Sequence, residues 1–284
     1  MKVGILGIGL MGGPMALKLQ EAGFEVVAWN RTLAKLAPLR EAGIETTEVA
    51  GEAIAACDIA ITMLSDAAAT ESALFADASA LAGRTILQMA TIAPEESREL
   101  KRQVEKADGS YLEAPVLGSL PEVKQGSLIV MVGATPEQFE QWMPVFKCFG
   151  QEPQLMGKVG TAAATKLAMN QLIGTLTSAF SMSLGLVKRE GLDLEKFMTL
   201  VRSSALYAPQ FDKKLERMCD RNFEDPNFPT KHLLKDMNLF VRAAEDKDVD
   251  ATVAAGVSEL VQKAISQGLA NKDYSSVYSA VNPN

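Results

Sequence analysis

Two stretches combine residue types and spacing that suggest chemistry: Gly7-Ile8-Gly9-Leu10-Met11-Gly12, and Lys166 with Asn170. The first follows a short apolar run and opens a helical pattern, which is the context a dinucleotide fingerprint requires. Gly7 allows a tight turn, Gly9 lets backbone amides approach a pyrophosphate, and Gly12 lets helix and strand pack closely. The helix N-terminus then offers unpaired N–H groups and the positive end of its dipole to an anion. In Lys166 and Asn170 the spacing is i,i+4, so both project from one face of a long helix. A lysine partly desolvated among Leu167, Ala168 and Met169 has its charged form disfavoured. It can give a proton to a developing alkoxide and take it back in reverse. Taken alone, the pair does not outweigh the ordinary reading of a surface lysine on an amphipathic helix.

The end of the second strand selects the dinucleotide. It reads Trp29-Asn30-Arg31-Thr32, without the carboxylate that accepts from the ribose 2′-hydroxyl in NAD sites. Arg31 can pair with a 2′-phosphate through two parallel hydrogen bonds, which favours NADP(H) over NAD(H). Asn30 and Thr32 can also serve as caps for the helix that follows.

Other chemistries are constrained by counting. One histidine, His232, excludes a multi-histidine zinc site and leaves a Ser-His-Asp hydrolase a single candidate base. His232 reads as a helix-packing residue. The three cysteines, Cys57, Cys148 and Cys219, are far apart and form no CxxC, which fits a reducing compartment. With 28 Lys+Arg against 35 Asp+Glu, the net charge of −7 disfavours a nucleic-acid backbone surface. The N-terminal apolar run breaks at once into glycines, unlike a signal peptide. Leu172 to Val187, interrupted by serines and threonines, reads as a buried helix rather than a membrane span. A soluble cytoplasmic protein without nucleic-acid, membrane or metal partners is expected, assembling as a homodimer or homotetramer.

The elements that must position these residues fall into two halves. Short apolar runs at Val3–Leu6, Phe24–Trp29, Asp58–Met63, Thr85–Met89, Tyr111–Glu113 and Ser127–Val132 alternate with helical segments such as Met11–Glu21, Pro94–Lys106 and Pro136–Phe146. That alternation predicts an α/β fold, a Rossmann-type parallel sheet with helices on both faces, over residues 1–160. From Thr161 to Arg189 little breaks a helix except Gly174 and Gly185, so one helix of roughly 45 Å is predicted at the join. Leu194–Arg202, Thr230–Asp246 and Ala251–Gln267 are further helical segments, with Asp193 as an N-cap and Gly268 as a C-terminal stop. Residues 161–284 are thus expected to form an all-helical domain for substrate binding and dimerisation.

Several motifs occur in order along nearly the whole chain. They are GIGLMG continuing into Gly13-Pro14-Met15-Ala16 and Gly23-Phe24, then Glu113-Ala114-Pro115-Val116, then Gly157-x-x-Gly160 with Lys166 and Asn170, then Lys235-Asp236. Together they resemble the β-hydroxyacid dehydrogenases, the 3-hydroxyisobutyrate dehydrogenase-related family. The Asn-Arg-Thr turn and the Gly-Ser pair after Ala-Pro-Val look most like its glyoxylate and succinic semialdehyde reductase branch. The resemblance implies that Lys166 is the catalytic lysine and that Asn170 helps hold the substrate. It places Met63 and Leu64 beside the adenosine and ribose, Thr91 at the nicotinamide end, and Lys235 as a further cofactor contact. Phe228 and Asp236 match residues that close over the substrate.

The substrate loop departs from the family pattern. Where the family has Ser-Gly-Gly after Ala-Pro-Val, this chain has Leu117-Gly118-Ser119, so the serine position lacks a side-chain donor. The backbone amides of Gly118 and Ser119 and the Ser119 hydroxyl are then the groups expected to hold a substrate anion. Gln88 and Ala90 also replace the more usual Asp and Ser. The leading expectation is an NADPH-dependent reductase of a small semialdehyde or 2-oxo acid. An NAD-dependent 3-hydroxyacid dehydrogenase working oxidatively is the alternative. A nucleotide-sensing protein without turnover is a third reading, and retention of Lys166 weighs against it.

Overall fold

The structure, a computed structural model, describes residues 1–283. Nine strands follow in chain order: β1 (Lys2–Leu6), β2 (Glu25–Trp29), β3 (Glu45–Thr47), β4 (Ile59–Thr62), β5 (Thr85–Gln88), β6 (Ser110–Glu113), β7 (Val116–Leu117), β8 (Ile129–Gly133) and β9 (Gln154–Gly157). They make one sheet in the order β3-β2-β1-β4-β5-β6-β8-β7, with β9 also paired to β8. The helices accompanying them are α1 (Gly12–Glu21), α2 (Ala37–Glu41), α3 (Ala50–Ala55), α4 (Ala67–Leu74), α5 (Pro94–Lys106), α6 (Leu120–Gln125) and α7 (Pro136–Phe149).

The strands are almost continuously apolar because both faces are covered. Successive side chains point to opposite faces, and the two cores divide accordingly. Val3, Ile5, Val26, Ala28, Ile59, Ile61, Leu87 and Leu112 join Met15 and Leu19 of α1, Leu39 of α2 and Phe146 of α7. Leu6, Val27, Ala60, Ile86 and Tyr111 join Ile54 of α3, Leu74 of α4 and Leu100 and Val104 of α5.

From β3 to β6 the sheet is parallel, as the alternation predicts. Beyond β6 the parallel arrangement ends: β8 runs antiparallel to both β6 and β7. A parallel neighbour needs a crossover long enough to carry the chain back along the sheet. Between β6 and β8 lie only the two-residue β7 and the six-residue α6, and six helical residues rise only about 9 Å. Strands β3 and β9 are unpredicted and short, with no buried residue, so they lack the apolar signal that marks the central strands.

The chain divides into two compact units, Met1–Lys166 and Leu167–Asn284, and the division falls inside α8 (Thr161–Arg189). The second unit contains the rest of α8 with α9 (Leu194–Ser203), α10 (Pro209–Cys219), α11 (Thr230–Glu245), α12 (Thr252–Ala264) and α13 (Val277–Val281). No strand occurs there among the described residues. Asp193 caps α9, its Oδ1 accepting from Lys196 N at 3.0 Å. Gly268 takes φ +83° in the turn after α12.

Helix α10 was not predicted, although Pro209 stands at its first position and Phe211, Leu215 and Met218 recur at helical spacing. Gly174 and Gly185 do not break α8. A Cβ at Gly174 would come 2.8 Å from Met237 Sδ, and one at Gly185 would collide with the Asn282 amide. Both are sites of close packing within the unit. Among the described residues no helix is long and apolar enough to cross a membrane, and no group of three or more His, Cys, Asp or Glu could hold a metal ion.

Candidate active site

The glycine turn joins β1 to α1. Gly7 has φ +108°, donates to Trp29 O at 2.9 Å, and packs so tightly on Met63 O that any Cβ would collide with it. A Cβ at Gly12 would likewise strike Gly7 O. These two glycines are dictated by the turn itself. Gly9 is different, since a Cβ there would meet no atom within 4 Å. Its backbone borders open space at the start of α1. That helix has no side-chain cap at Met11 and no acidic residue in its first turn. A helix start without a side-chain cap, an exposed glycine backbone and a first turn without a carboxylate suit a pyrophosphate. The residues present therefore fit a dinucleotide.

Asn30 is committed to the architecture of this turn. It is 8% exposed, its Oδ1 accepts from Ile8 N at 2.9 Å, and its Nδ2 donates to Thr32 O at 2.9 Å. The amide thereby ties the glycine turn to the end of β2. Arg31 and Thr32 are exposed, and Thr32 makes no side-chain cap to the short helix it precedes. Leu10 is exposed, and Met63, Leu64 and Thr91 are half-buried. Met63 and Leu64 directly follow β4, against Gly7.

The loop after β7 holds Leu117, Gly118 and Ser119. Leu117 pairs in register with Ile129 and is half-buried. Gly118 has φ +130°, a conformation that favours glycine. The donors of Ser119 expected to face an anion are engaged within the loop. Its N–H and its hydroxyl both donate to Glu122 Oε2, each at 2.8 Å. The Glu122 carboxylate closes a capping box on α6 with the very donors assigned to a substrate.

Lys166 lies in the second turn of α8 and is 8% exposed, well below what a lysine on a solvated helix face shows. The amino end of α8 is held from a distance. Glu113, the last residue of β6, accepts from Gly160 N at 2.8 Å and Ala163 N at 3.0 Å through Oε1. Its Oε2 accepts from Ser97 Oγ, which also lies 2.9 Å from the Tyr111 hydroxyl. Burial pushes the Glu113 carboxyl up, and these donors pull it back. Sequence reasoning noted Glu113 only as part of a motif. A lone carboxylate ending an otherwise buried strand is the signal that could have singled it out.

In the second unit Asn170 and Asp236 meet across 66 residues. Asn170 Nδ2 donates to Asp236 Oδ2 at 2.6 Å, and both residues are 2% exposed. Lys235 Nζ stands 3.3 Å from Asp236 Oδ1. Phe228 stacks on His232 with ring centroids 6.5 Å apart and meets Tyr274 edge-on. Burial and then the Lys235 charge hold the His232 imidazolium below its usual range, which suits the packing role read from the sequence. So Asn170, Lys235 and Asp236 form one cluster, while the glycine turn, Asn30 and Met63 form another in the first unit.

Both halves of the chain are similar to known proteins. Residues 2–160 match the NAD-binding domain of 6-phosphogluconate dehydrogenase. Residues 160–281 match the NAD-binding domain of NADP-dependent 3-hydroxyisobutyrate dehydrogenase. The chain is 34% identical to glyoxylate/succinic semialdehyde reductase 1 of Arabidopsis thaliana, over 99% of this chain and 98% of that one. It is 32% identical to the chloroplastic reductase 2 of the same plant, over 98% and 79%. The 3-hydroxyisobutyrate dehydrogenase of Mycobacterium tuberculosis shares the fold with a TM-score of 0.90 at 21% identity, covering 99% and 98%. A glycine turn built for a dinucleotide, a buried lysine on the long helix and homology along the whole chain lead to one assignment. The chain is an NAD(P)-dependent oxidoreductase of the β-hydroxyacid dehydrogenase family, in its glyoxylate/succinic semialdehyde reductase branch.

Proposed function

We propose that this enzyme reduces a small semialdehyde or 2-oxo acid, of the succinic semialdehyde or glyoxylate type, to the hydroxy acid, with NADPH preferred over NADH. The observation that carries the reading is the 34% identity, over 99% of the chain, to a reductase named for those two substrates. The cofactor preference rests on the end of β2, where Arg31 is exposed and no carboxylate stands. In this reading residues 1–160 bind NADP through Gly7–Gly12, Asn30–Thr32, Met63, Leu64 and Thr91, and the resemblance assigns Lys235 as a further cofactor residue. Residues 161–284 serve substrate binding and dimerisation.

When bound, the dinucleotide supplies the hydride. The chain's own groups handle the proton and the orientation. Negative charge grows on the carbonyl oxygen during reduction, and the Lys166 ammonium gives that oxygen its proton. Asn170, one helical turn further on, holds the substrate, with its amide oriented by Asp236. Leu117, Gly118 and Phe228 are each assigned to the substrate by the family resemblance, and the weak donor set of the Leu117 loop directs selection among carboxylic substrates.

The test is a panel of small aldehydes and 2-oxo acids assayed with NADPH and NADH in parallel, for the parent and for Lys166→Ala. General acid catalysis contributes about 10²–10⁴-fold, so Lys166→Ala should lose turnover on that scale while NADPH binding, followed by fluorescence, persists. Lys166→Arg should rescue little, because a guanidinium holds its proton too firmly to donate it near neutral pH. Folded Lys166→Ala that turns over within a few-fold of the parent rules out Lys166 as the acid.

A further inference from the structure

The carboxylate of Glu113 and the first turn of α8 belong to the same compact unit, and their contact is specific. Helix α8 begins at Thr161. Its leading N–H groups need acceptors, as at any helix start. They find one 47 and 50 residues earlier in the chain, at Glu113 Oε1, which accepts from Gly160 N and Ala163 N. A single oxygen thus holds the residue before the helix and the third residue within it.

The carboxylate is in turn fixed on every side the structure shows. Glu113 is 1% exposed. Ser97 of α5 donates to its other oxygen, and Ser97 is itself linked to the buried Tyr111 hydroxyl. Gly133 faces it from β8, where a Cβ would come 2.6 Å from Oε1, so a glycine is what leaves room for the carboxylate. Arg98 lies against Gly160, and a Cβ there would come 2.6 Å from its Nε. A buried carboxylate is costly unless hydrogen-bonded, and this one is kept where its donors are two helix amides and a hydroxyl.

Lys166 follows Ala163 by three residues, so the two share a helix face. Fixing the amides at Gly160 and Ala163 fixes both the rotation and the axial position of the turn that carries Lys166. We propose that Glu113 is a positioning residue for the reaction: from the end of β6 it caps the start of α8 and so sets where Lys166 stands. This rests on the reading of Lys166 as the acid. Displacement of a reacting group by about 1 Å can cost on the order of 10²-fold in rate, so the contact is large enough to matter for turnover.

The experiment measures kcat, KM and thermal stability for Glu113→Ala, Glu113→Gln, Ser97→Ala, Lys166→Ala and the double variant Glu113→Ala/Lys166→Ala. If Glu113 acts through Lys166, Glu113→Ala should lower kcat by roughly 10–100-fold with KM for NADPH unchanged. The Gln variant should recover most of that loss, since its Oε1 still accepts from both amides while its Nε2 meets Ser97 Oγ. In the Lys166→Ala background, removing Glu113 should cost nothing further in kcat. Ser97→Ala, a smaller change that keeps the protein folded if Glu113→Ala does not, should lower kcat less and be silent in the same background. Folded Glu113→Ala or Ser97→Ala with parental kcat overturns the proposal. So does a Gln variant as slow as the Ala variant, or a loss that adds in full to that of Lys166→Ala. Parental turnover in Lys166→Ala alone defeats the reading of Lys166 as the acid, and the positioning role with it.

Discussion

Asn30 and Arg31 are neighbours with separated duties. The Asn30 amide is buried and bonded on both sides, to Ile8 N and Thr32 O. Arg31 beside it is exposed and free of any acidic neighbour in the turn. In the proposed function, recognition of a 2′-phosphate falls to Arg31. A charge-assisted contact is worth about 1.5–3 kcal/mol, or ten- to a hundred-fold. Arg31→Ala should accordingly raise KM for NADPH by that factor and leave KM for NADH nearly unchanged. Steady-state kinetics with both cofactors decides the matter, and equal effects on the two would remove the case for NADP preference. Asn30→Ala should behave differently. It strips the partner from Ile8 N and should weaken both cofactors together. The glycine turn was legible in the sequence because its requirements are local: six residues, one turn, one helix start. The partners of Asn30 and Glu113 were not legible, because they are reached across 22 residues in one case and 47 and 50 in the other. Spacing along the chain carries no trace of such contacts.

At the scale of elements, the loop between β7 and α6 is where the proposed function has the site meet a carboxylate. Its sequence suggested that Ser119 compensates for the missing serine at position 117. The structure gives both Ser119 donors to Glu122, which lies three residues further along. That is the capping-box spacing, readable in the sequence as Ser119-x-x-Glu122. With only six residues, α6 is too short to mark itself by apolar periodicity. Replacing the carboxylate should therefore change substrate ranking. Glu122→Ala frees two donors and removes a negative charge from the loop, so KM for glyoxylate should fall by about tenfold, the scale of one charge-assisted hydrogen bond. The variant should also lose about 0.5–2 kcal/mol of stability with the cap. Glu122→Gln retains an acceptor for Ser119 and isolates the charge, so it should fall between the two. Unchanged kinetics in Glu122→Ala would show that Ser119 does not meet the substrate. The same locality explains the strands. β1, β2, β4, β5 and β6 are buried on both faces and announce themselves as apolar runs, whereas β3 and β9 are short edge segments whose pairing is set by their neighbours.

At the scale of the molecule, the two units are held together internally by different means. The first has a sheet with a full apolar core on either face. The second relies on smaller cores and on a buried ion pair. Lys214 of α10 donates to both oxygens of Asp273 at 2.9 Å, and the two side chains are 12% and 0% exposed. Asp273 also accepts from Ser275 N and Oγ, its backbone N–H donates to Phe223 O, and the Tyr274 ring lies 4.3 Å from Lys214 Nζ. Neither partner stood out in the sequence, since Lys214 lies in a helix that was not predicted and Asp273 in a polar turn. Burial lowers the Lys214 pKa despite the Asp273 charge. Breaking such a pair leaves an uncompensated buried charge at a cost of about 3–5 kcal/mol. Asp273→Ala should therefore lower the melting temperature sharply while the glycine turn, in the other unit, still binds NADPH. The pH dependence has a defined sign. Without the carboxylate, Lys214 in the folded protein titrates still lower, while in the unfolded chain it keeps the ordinary lysine value of about 10.4. Between those two values the unfolded state binds more protons than the folded one, so stability rises with pH. The deficit of Asp273→Ala relative to the parent should thus be largest near neutral pH and shrink as the pH approaches the lysine range. Denaturant unfolding of both proteins from pH 7 upward measures it, and a deficit that stays constant or grows with pH would show that the lost stability comes from the Asp273 turn contacts rather than from the stranded ammonium.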